Sequence, residues 1–181
     1  MPVKHYLWLD LEMSGLDVEK CRILEVAAIV TDLDLNEVAT FHRIVHQPAA
    51  VLEAMDSWCQ NQHGKSGLTA AVPNGDPEAD VEDALVAFLQ THWPSREKII
   101  LCGNSIGTDR KFIDRYWPKA AAKLHYRMVD VSSFKVVLRQ RLGVAFEKKG
   151  GHRAVDDIRE SIAELAHYLK HFQAKPVSSA S

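Results

Sequence analysis

Cysteine is scarce in this chain: there are three among 181 residues. Cys21, Cys59 and Cys102 are far apart and form no Cys-x-x-Cys pair. That excludes a disulfide framework and a structural zinc site, and it fits a reducing compartment. Long apolar runs are missing too. None approaches the ~20 residues of a membrane-spanning helix, so no membrane role is expected. There is also no excess of positive charge, since the formal net charge is -2. Proteins that track long nucleic acid carry a basic field, so any nucleic-acid ligand here is expected to be short or gripped locally. The start, Met1-Pro2-Val3-Lys4, runs almost directly into an apolar stretch and leaves no room for a signal or transit segment. The expectation is a soluble cytoplasmic protein, or a mitochondrial one if the source is eukaryotic. No internal repeat is visible.

What remains is enough for one well-buried core and too little for two, with 46% hydrophobic and 25% charged residues. A single domain over 1–173 is expected, followed by a disordered small-residue tail at 174–181. Trp8-Leu9-Asp10-Leu11-Glu12-Met13 reads as a strand, and Ile23 to Val30, nearly all apolar and rich in β-branched residues, as a central strand. Val38 to His46 should pair antiparallel with it. Apolar residues recur at helical spacing from Leu52 to Cys59, and His63 to Gly67 looks like an exposed break. Asp76 and Pro77 read as N-cap and first residue of a helix carrying Val81, Leu85, Phe88 and Leu89 on one face and ending before Pro94. Lys98 to Cys102 is a strand leading through Gly103-Asn104-Ser105 into a helix with Asp109, Phe112, Ile113 and Tyr116. Tyr126 to Val131 is a further strand, with Ser132 or Ser133 capping a helix that stops at Gly143. Ile158, Ile162, Leu165 and Leu169 mark a closing amphipathic helix. The order predicts an α/β domain with a mixed sheet of about five strands, helices on both faces and a helical C-terminus.

The chemistry centres on the first strand. Side chains on a strand alternate faces, so Asp10 and Glu12 share one surface. Two carboxylates so close repel each other and stay ionised most easily with a cation between them. Hard divalent ions take such oxygen ligands together with phosphate, which suggests metal-assisted chemistry on phosphate. An exposed edge strand with two solvated acids is the plain alternative. Further acids lie at other element ends. Asp109, in a first helical turn, is either a complement to the helix dipole or a ligand aimed at the sheet edge. Asp156 and Asp157 open the last helix, and His152 precedes them after two glycines, where an imidazole could take a proton from water.

Three segments in this order, Asp10-x-Glu12, Gly103-Asn104-Ser105-Ile106-Gly107-x-Asp109 and His152-Arg153-Ala154-Val155-Asp156-Asp157-Ile158-Arg159-Glu160-Ser161, resemble the exonuclease motifs of the DEDDh group in the ribonuclease H-like superfamily. The oligoribonuclease family is the nearer match, through Leu9 to Leu16, Met55-Asp56-Ser57-Trp58, Ser66-Gly67-Leu68 and His125 to Ser132. The similarity runs from the first strand to about His171. It implies that Asp10, Glu12, Asp109 and Asp157 hold two divalent cations, Mg²⁺ or Mn²⁺, with Asp10 bridging and Asp109 acting through a water, and that His152 is the general base. On an ideal helix His152 would share a face with Asp156, whereas the family pattern selects Asp157. The two agree only if His152 precedes the helix.

The resemblance also implies stepwise 3′→5′ hydrolysis of very short RNA, above all 5′-phosphorylated dinucleotides, to nucleoside 5′-monophosphates. Ser105, Arg127 and Ser132 would cap the 5′-phosphate, with His63 and Tyr126 closing beside it. Leu16 and Trp58 would pack against the two bases. Without the family, Arg127 is a surface charge, Trp58 a core residue and Ser132 a helix cap. Family members are homodimers, so a homodimer is expected. Two rivals stand: an exonuclease of the same group acting on longer strands, and a binding module that kept the fold. The helix over 133–142 lacks the tryptophan common in the family after its basic residues, and the loop over 143–151 differs in sequence and length.

Overall fold

In a computed structural model of the chain, residues 4–94, 97–147 and 154–172 are described. The chain opens with strand β1 (Tyr6–Met13), β2 (Ile23–Thr31) and β3 (Glu37–Ile44), then passes through helices α1 (Ala49–Glu53), α2 (Ser57–Ser66) and α3 (Leu68–Ala71). The long α4 (Glu78–His92) leads to β4 (Ile99–Gly103), α5 (Gly107–Tyr116), α6 (Pro118–Ala121), β5 (Leu124–Asp130), α7 (Val131–Leu142) and α8 (Ala154–Leu169). The five strands form one sheet in the order β3-β2-β1-β4-β5. β1 runs antiparallel to β2 and parallel to β4, and β5 is parallel to β4. This is the expected mixed sheet.

Alternation along β1 divides the core. Leu7, Leu9 and Leu11 pack with Val26, Ala28 and Val30 under α4, α5 and α6, while Trp8 faces the other way and meets α7 and α8 through Val131, Leu138, Ile158 and Ile162. Each fully buried aliphatic or aromatic side chain contributes roughly 1.5–3 kcal/mol. Trp8 can be buried completely because its Nε1–H donates to Thr31 Oγ1 at 3.0 Å. Leu24, Met55, Cys59, Leu68 and Val72 form a smaller cluster that seats α2 and α3 beside the sheet. Gly103 lets β4 end tight against β1, since a Cβ there would sit 2.9 Å from Ile106 Cδ1 and 3.0 Å from the Leu9 carbonyl oxygen. Among the described residues no helix is long and apolar enough to cross a membrane.

Three local expectations are corrected. His63 to Gly67 is not an exposed break: α2 continues to Ser66, His63 is buried, and the helix stops only where Gly67 takes a left-handed φ of 81°. Asp76 does not cap α4, because its backbone bridges to Val45 and the cap position falls to Pro77. Neither Ser132 nor Ser133 caps α7. Asp130 does, its side chain accepting from the Ser132 N–H at 2.9 Å. The tail at 174–181 lies outside the described residues.

Candidate active site

The site is built at the carboxyl ends of parallel neighbours β1 and β4, where ligands of α/β sheets bind. Asp10 and Glu12 stand on the α8 face of β1. α8 brings Asp157 to them in its first turn, and a carboxylate oxygen from each of the three lies within 4.8 Å of the others. Asp156 faces away toward Arg159. Asp109, buried in the first turn of α5, approaches from the opposite side of the strand, its Oδ1 accepting from the Leu11 N–H at 2.9 Å. The strand's own backbone therefore holds the fourth acid. His152 lies outside the described residues, and described α8 begins at Ala154.

Burial and mutual repulsion govern the charges. Burial, followed by the negative fields of Asp109, Glu12 and Asp157, holds the Asp10 carboxyl well above its ordinary range. Glu12 is pushed up to about 7 by burial and by Glu25, Asp157 and Asp109. Glu25 sits directly across the β1–β2 pair from Glu12, with its Oε1 2.5 Å from His42 Nε2. Burial raises Asp109 to about 6, against the Leu11 N–H that favours its charged form. Among the described residues no lysine or arginine pairs with Asp10 or Glu12, and the basic group nearest Glu12 is His63, with Nδ1 3.9 Å from Oε2. Carboxylate oxygens gathered this closely fit hard divalent cations, which prefer such ligands.

A cavity of about 670 Å³ opens over the acids, lined by Asp10, Glu12, Leu16, Trp58, His63 and Asn104 among others. Leu16 and Trp58 are 79% and 66% exposed, large apolar surfaces presented to solvent at the rim of an acidic floor. Trp58 is thus no core residue. His63 is inside, its Nε2 2.8 Å from the Met13 carbonyl oxygen, tying α2 to the end of β1. Ser105 and Ser132 lie together beyond Asn104, their hydroxyls 3.1 Å apart. Tyr126 and Arg127 stand on edge strand β5 and do not line the cavity. Tyr126 stacks on His125, and the Arg127 guanidinium lies 5.2 Å from the Tyr126 ring centre.

Residues 7–165 match the exonuclease domain family. The chain is 50% identical to the oligoribonuclease of Aromatoleum aromaticum, over 93% of this chain and 94% of that protein. It is 48% identical to the oligoribonuclease of Marinobacter nauticus, over 92% and 94%. This chain belongs to the oligoribonuclease family. Among solved structures its fold is similar to exonuclease I of Methylocaldum szegediense, with a TM-score of 0.65 and 17% identity over 94% of this chain. It is similar also to the zinc-bound E. coli exonuclease I complex with single-stranded DNA, at TM-score 0.65 and 18% identity. This chain spans 41% of each of those larger proteins, and the likeness concerns the fold. Exonuclease domains of this kind work with divalent cations, as the acidic cluster of this oligoribonuclease family member would lead one to expect.

Sequence reasoning gave no role to several groups at this site. Asp130 accepts from the backbone N–H of both Ser105 and Ser132. Asn104 and the fully buried Glu164 stand behind the serines. A signal for Glu164 existed: Asp157, Ser161, Glu164 and Tyr168 recur at 4, 3 and 4 residues, a polar stripe along a helix whose neighbouring stripe, Ile158, Ile162 and Leu165, is core.

Proposed function

We propose that this chain is a metal-dependent 3′→5′ exoribonuclease that degrades very short oligoribonucleotides, 5′-phosphorylated dinucleotides above all, to nucleoside 5′-monophosphates. The observation that carries the reading is the convergence of Asp10, Glu12 and Asp157 within 4.8 Å, with Asp109 buried against the same strand. These four acids would hold two divalent cations, Mg²⁺ or Mn²⁺. Such a pair, when bound, stabilises the charge that develops on both sides of an in-line displacement at phosphorus. His152, by its place in the family motif, takes the proton from the attacking water.

Residues in the cavity and on the elements beside it would orient substrate. Leu16 and Trp58 would each support a base, a contact worth ~1–3 kcal/mol and tolerant of sequence. Ser105 and Ser132 would receive the 5′-phosphate and so end the groove after two nucleotides. Arg127 offers that phosphate a planar fork, with Tyr126 beside it and His63 closing the opposite wall. A homodimer is part of this reading. It is supported by the apolar residues exposed along β5 and α7, namely Met128, Val136, Val137 and Leu142, next to the open edge of the sheet. The cytoplasm is the proposed site of action.

The deciding experiment compares turnover of a 5′-phosphorylated dinucleotide with that of a longer oligoribonucleotide in Mg²⁺ or Mn²⁺. A dinucleotide preference of about tenfold or more in kcat/KM is expected. Equal rates at both lengths would refute the length limit, and no hydrolysis with either cation would refute the enzyme.

A further inference from the structure

Behind the two serines a chain of hydrogen bonds runs into the core of the protein and ends on a carboxylate to which the proposed reaction gives no task. We infer that Glu164, acting through Asn104, is a positioning residue that fixes Ser105 and Ser132 at a set distance from Asp157. The inference rests on the reading of these serines as the 5′-phosphate cap, and deepens it.

Glu164 is fully buried, and a buried carboxylate is costly unless its oxygens are satisfied. Its Oε1 accepts from the Tyr168 hydroxyl at 2.9 Å and its Oε2 from Asn104 Nδ2 at 3.0 Å. Turned over, the Asn104 amide would set its carbonyl oxygen against that carboxyl oxygen and its nitrogen against the Ser132 hydroxyl, so the observed orientation is the one in which the contacts agree. The same nitrogen donates its second hydrogen to Ser161 Oγ at 2.8 Å. Both donors of Asn104 are thus spent on α8, which leaves Oδ1 pointing toward α7, where it accepts from Ser132 Oγ at 3.2 Å.

Ser132 therefore uses its one hydroxyl hydrogen on Asn104. In the contact of 3.1 Å between the two serine hydroxyls, the donor must then be Ser105. Ser105 stands at the free end of the relay with the one hydroxyl hydrogen that can turn to an arriving phosphate oxygen. Its backbone is held ready for this. Ser105 has φ +51°, a left-handed conformation uncommon outside glycine, and its N–H is shared between Asp130 Oδ1 at 3.0 Å and Ser132 Oγ at 2.9 Å.

At the other end, Ser161 Oγ donates to the carbonyl of Asp157 at 2.9 Å. One asparagine thus joins the helix that carries an acidic ligand to the residues that would stop the substrate. Its two ends set the distance between cleavage position and cap. That distance is a ruler for substrate length, and Glu164 holds the ruler straight.

Five substitutions test this, each read as the ratio of kcat/KM for a 5′-phosphorylated dinucleotide to that for its dephosphorylated form, with thermal melting alongside. Glu164→Met keeps the volume but removes the acceptor, and it should lower the ratio about tenfold, mainly through KM. Glu164→Gln can still accept from Asn104 and donate to the Tyr168 hydroxyl, and it should keep the ratio near that of the parent. Tyr168→Phe removes the other bond to the same carboxylate, and it should lower the melting temperature without moving the ratio. If Glu164→Met does not fold, Asn104→Leu, at a half-buried position, carries the same expectation as the Met variant.

A fall in melting temperature for Glu164→Met with an unchanged ratio would overturn the inference, as would an equal loss of ratio in Tyr168→Phe. Ser105→Ala separates the two levels. If it leaves the ratio intact, the cap reading itself is wrong. If it abolishes the ratio while Glu164→Met and Asn104→Leu do not, the cap stands and its positioning by Glu164 fails.

Discussion

The acidic floor of the cavity and the serine pair beyond Asn104 are made on opposite principles. At the acidic floor, Asp10, Glu12 and Asp109 are carboxyls taken out of water beside one another, all held above their ordinary pKa. At the serine end hydrogen bonds within the protein link Ser105 through Ser132 and Asn104 to Glu164. The floor is frustrated as protein alone and becomes favourable only with positive charge added, whereas the cap is complete before any ligand arrives. Unfavourable packing of like charges is the mark of a place where something else must bind, and completed hydrogen bonding is the mark of a place that must not move.

The sharpest way to break this contrast is Asp10→Asn. Catalysis needs the charge, so kcat/KM on a dinucleotide should fall by about 10³-fold or more, since several kcal/mol of charge stabilisation is at stake and each 1.36 kcal/mol is tenfold. Folding does not need it. In the presence of a chelator the variant should melt above the parent, because one of the mutually repelling carboxylates is gone. A variant that melts lower while losing activity would mean that Asp10 is structural and that the floor is not frustrated.

A smaller effect follows from pH. Burial pushes the Glu12 and Asp109 carboxyls up to about 7 and about 6 in the folded chain, from ordinary values of 4.5 and 3.8. The native state therefore binds more protons than the unfolded state between those limits, and stability must fall as pH rises through the window. Asp17, Asp32 and Asp56 are held below the usual aspartate value of 3.8 by hydrogen bonds to their carboxylates and act in the opposite sense, but only below that pH. Metal-free protein should melt about 5 °C higher at pH 5 than at pH 7.5, and saturating Mn²⁺ or Mg²⁺ should remove the difference by stabilising the ionised form. A melting temperature that climbs with pH in the chelated protein would contradict the assignment of these acids as a cation site.

The floor was also the more legible end. Asp10 and Glu12 are two apart on an apolar strand, and period-two alternation alone puts them on one face. Their meeting with Asp157, and the placing of Asp109 against Leu11, needed either a family pattern or the fold, because no local rule brings residues 98 positions apart together. The exposure of Trp58 was not readable from composition, since a tryptophan among apolar neighbours is more often core. The cap was least legible. Ser132 looked like an N-cap because serine is favoured there, yet Asp130 takes that task and frees the hydroxyl for Asn104. Glu164 hides for a related reason: glutamate is a good helix former normally found on the solvent side, and only its phase relative to Ile158, Ile162 and Leu165 shows that it faces inward. The segment from His63 to Gly67 reads as an exposed break, yet the helix ends only at its last residue, Gly67, and His63 faces inward to the Met13 carbonyl.

Between floor and cap lies the loop that carries Leu16, and it gives the smallest effect. Leu16 is almost bare to solvent, so its position depends on what anchors the chain on either side. Ser14 and Arg22 close the base of the loop, with the Ser14 N–H donating to the Arg22 carbonyl at 2.9 Å and the Arg22 N–H to Ser14 Oγ at 3.0 Å. Arg22 then reaches α5: its Nη1 donates to the Tyr116 hydroxyl, its guanidinium lies 4.6 Å from the centre of that ring, and the hydroxyl donates onward to the Val18 carbonyl at 2.5 Å. Tyr116→Phe keeps the ring and the cation–π contact but removes the oxygen that joins Arg22 to Val18. A hydrogen bond of this kind contributes about 1 kcal/mol net, so KM for a dinucleotide should rise by about fivefold at most, with kcat unchanged, because the loop would wander while the acids stay in place. The exposed pair of Arg115 with Glu19, 3.1 Å apart on the same loop, should matter less still, since such pairs contribute about 0–1 kcal/mol. Should Tyr116→Phe lower kcat instead, the hydroxyl would be acting on the floor through Asp109, seven residues earlier on the same helix, and the loop would not be a separate, softer part of the site.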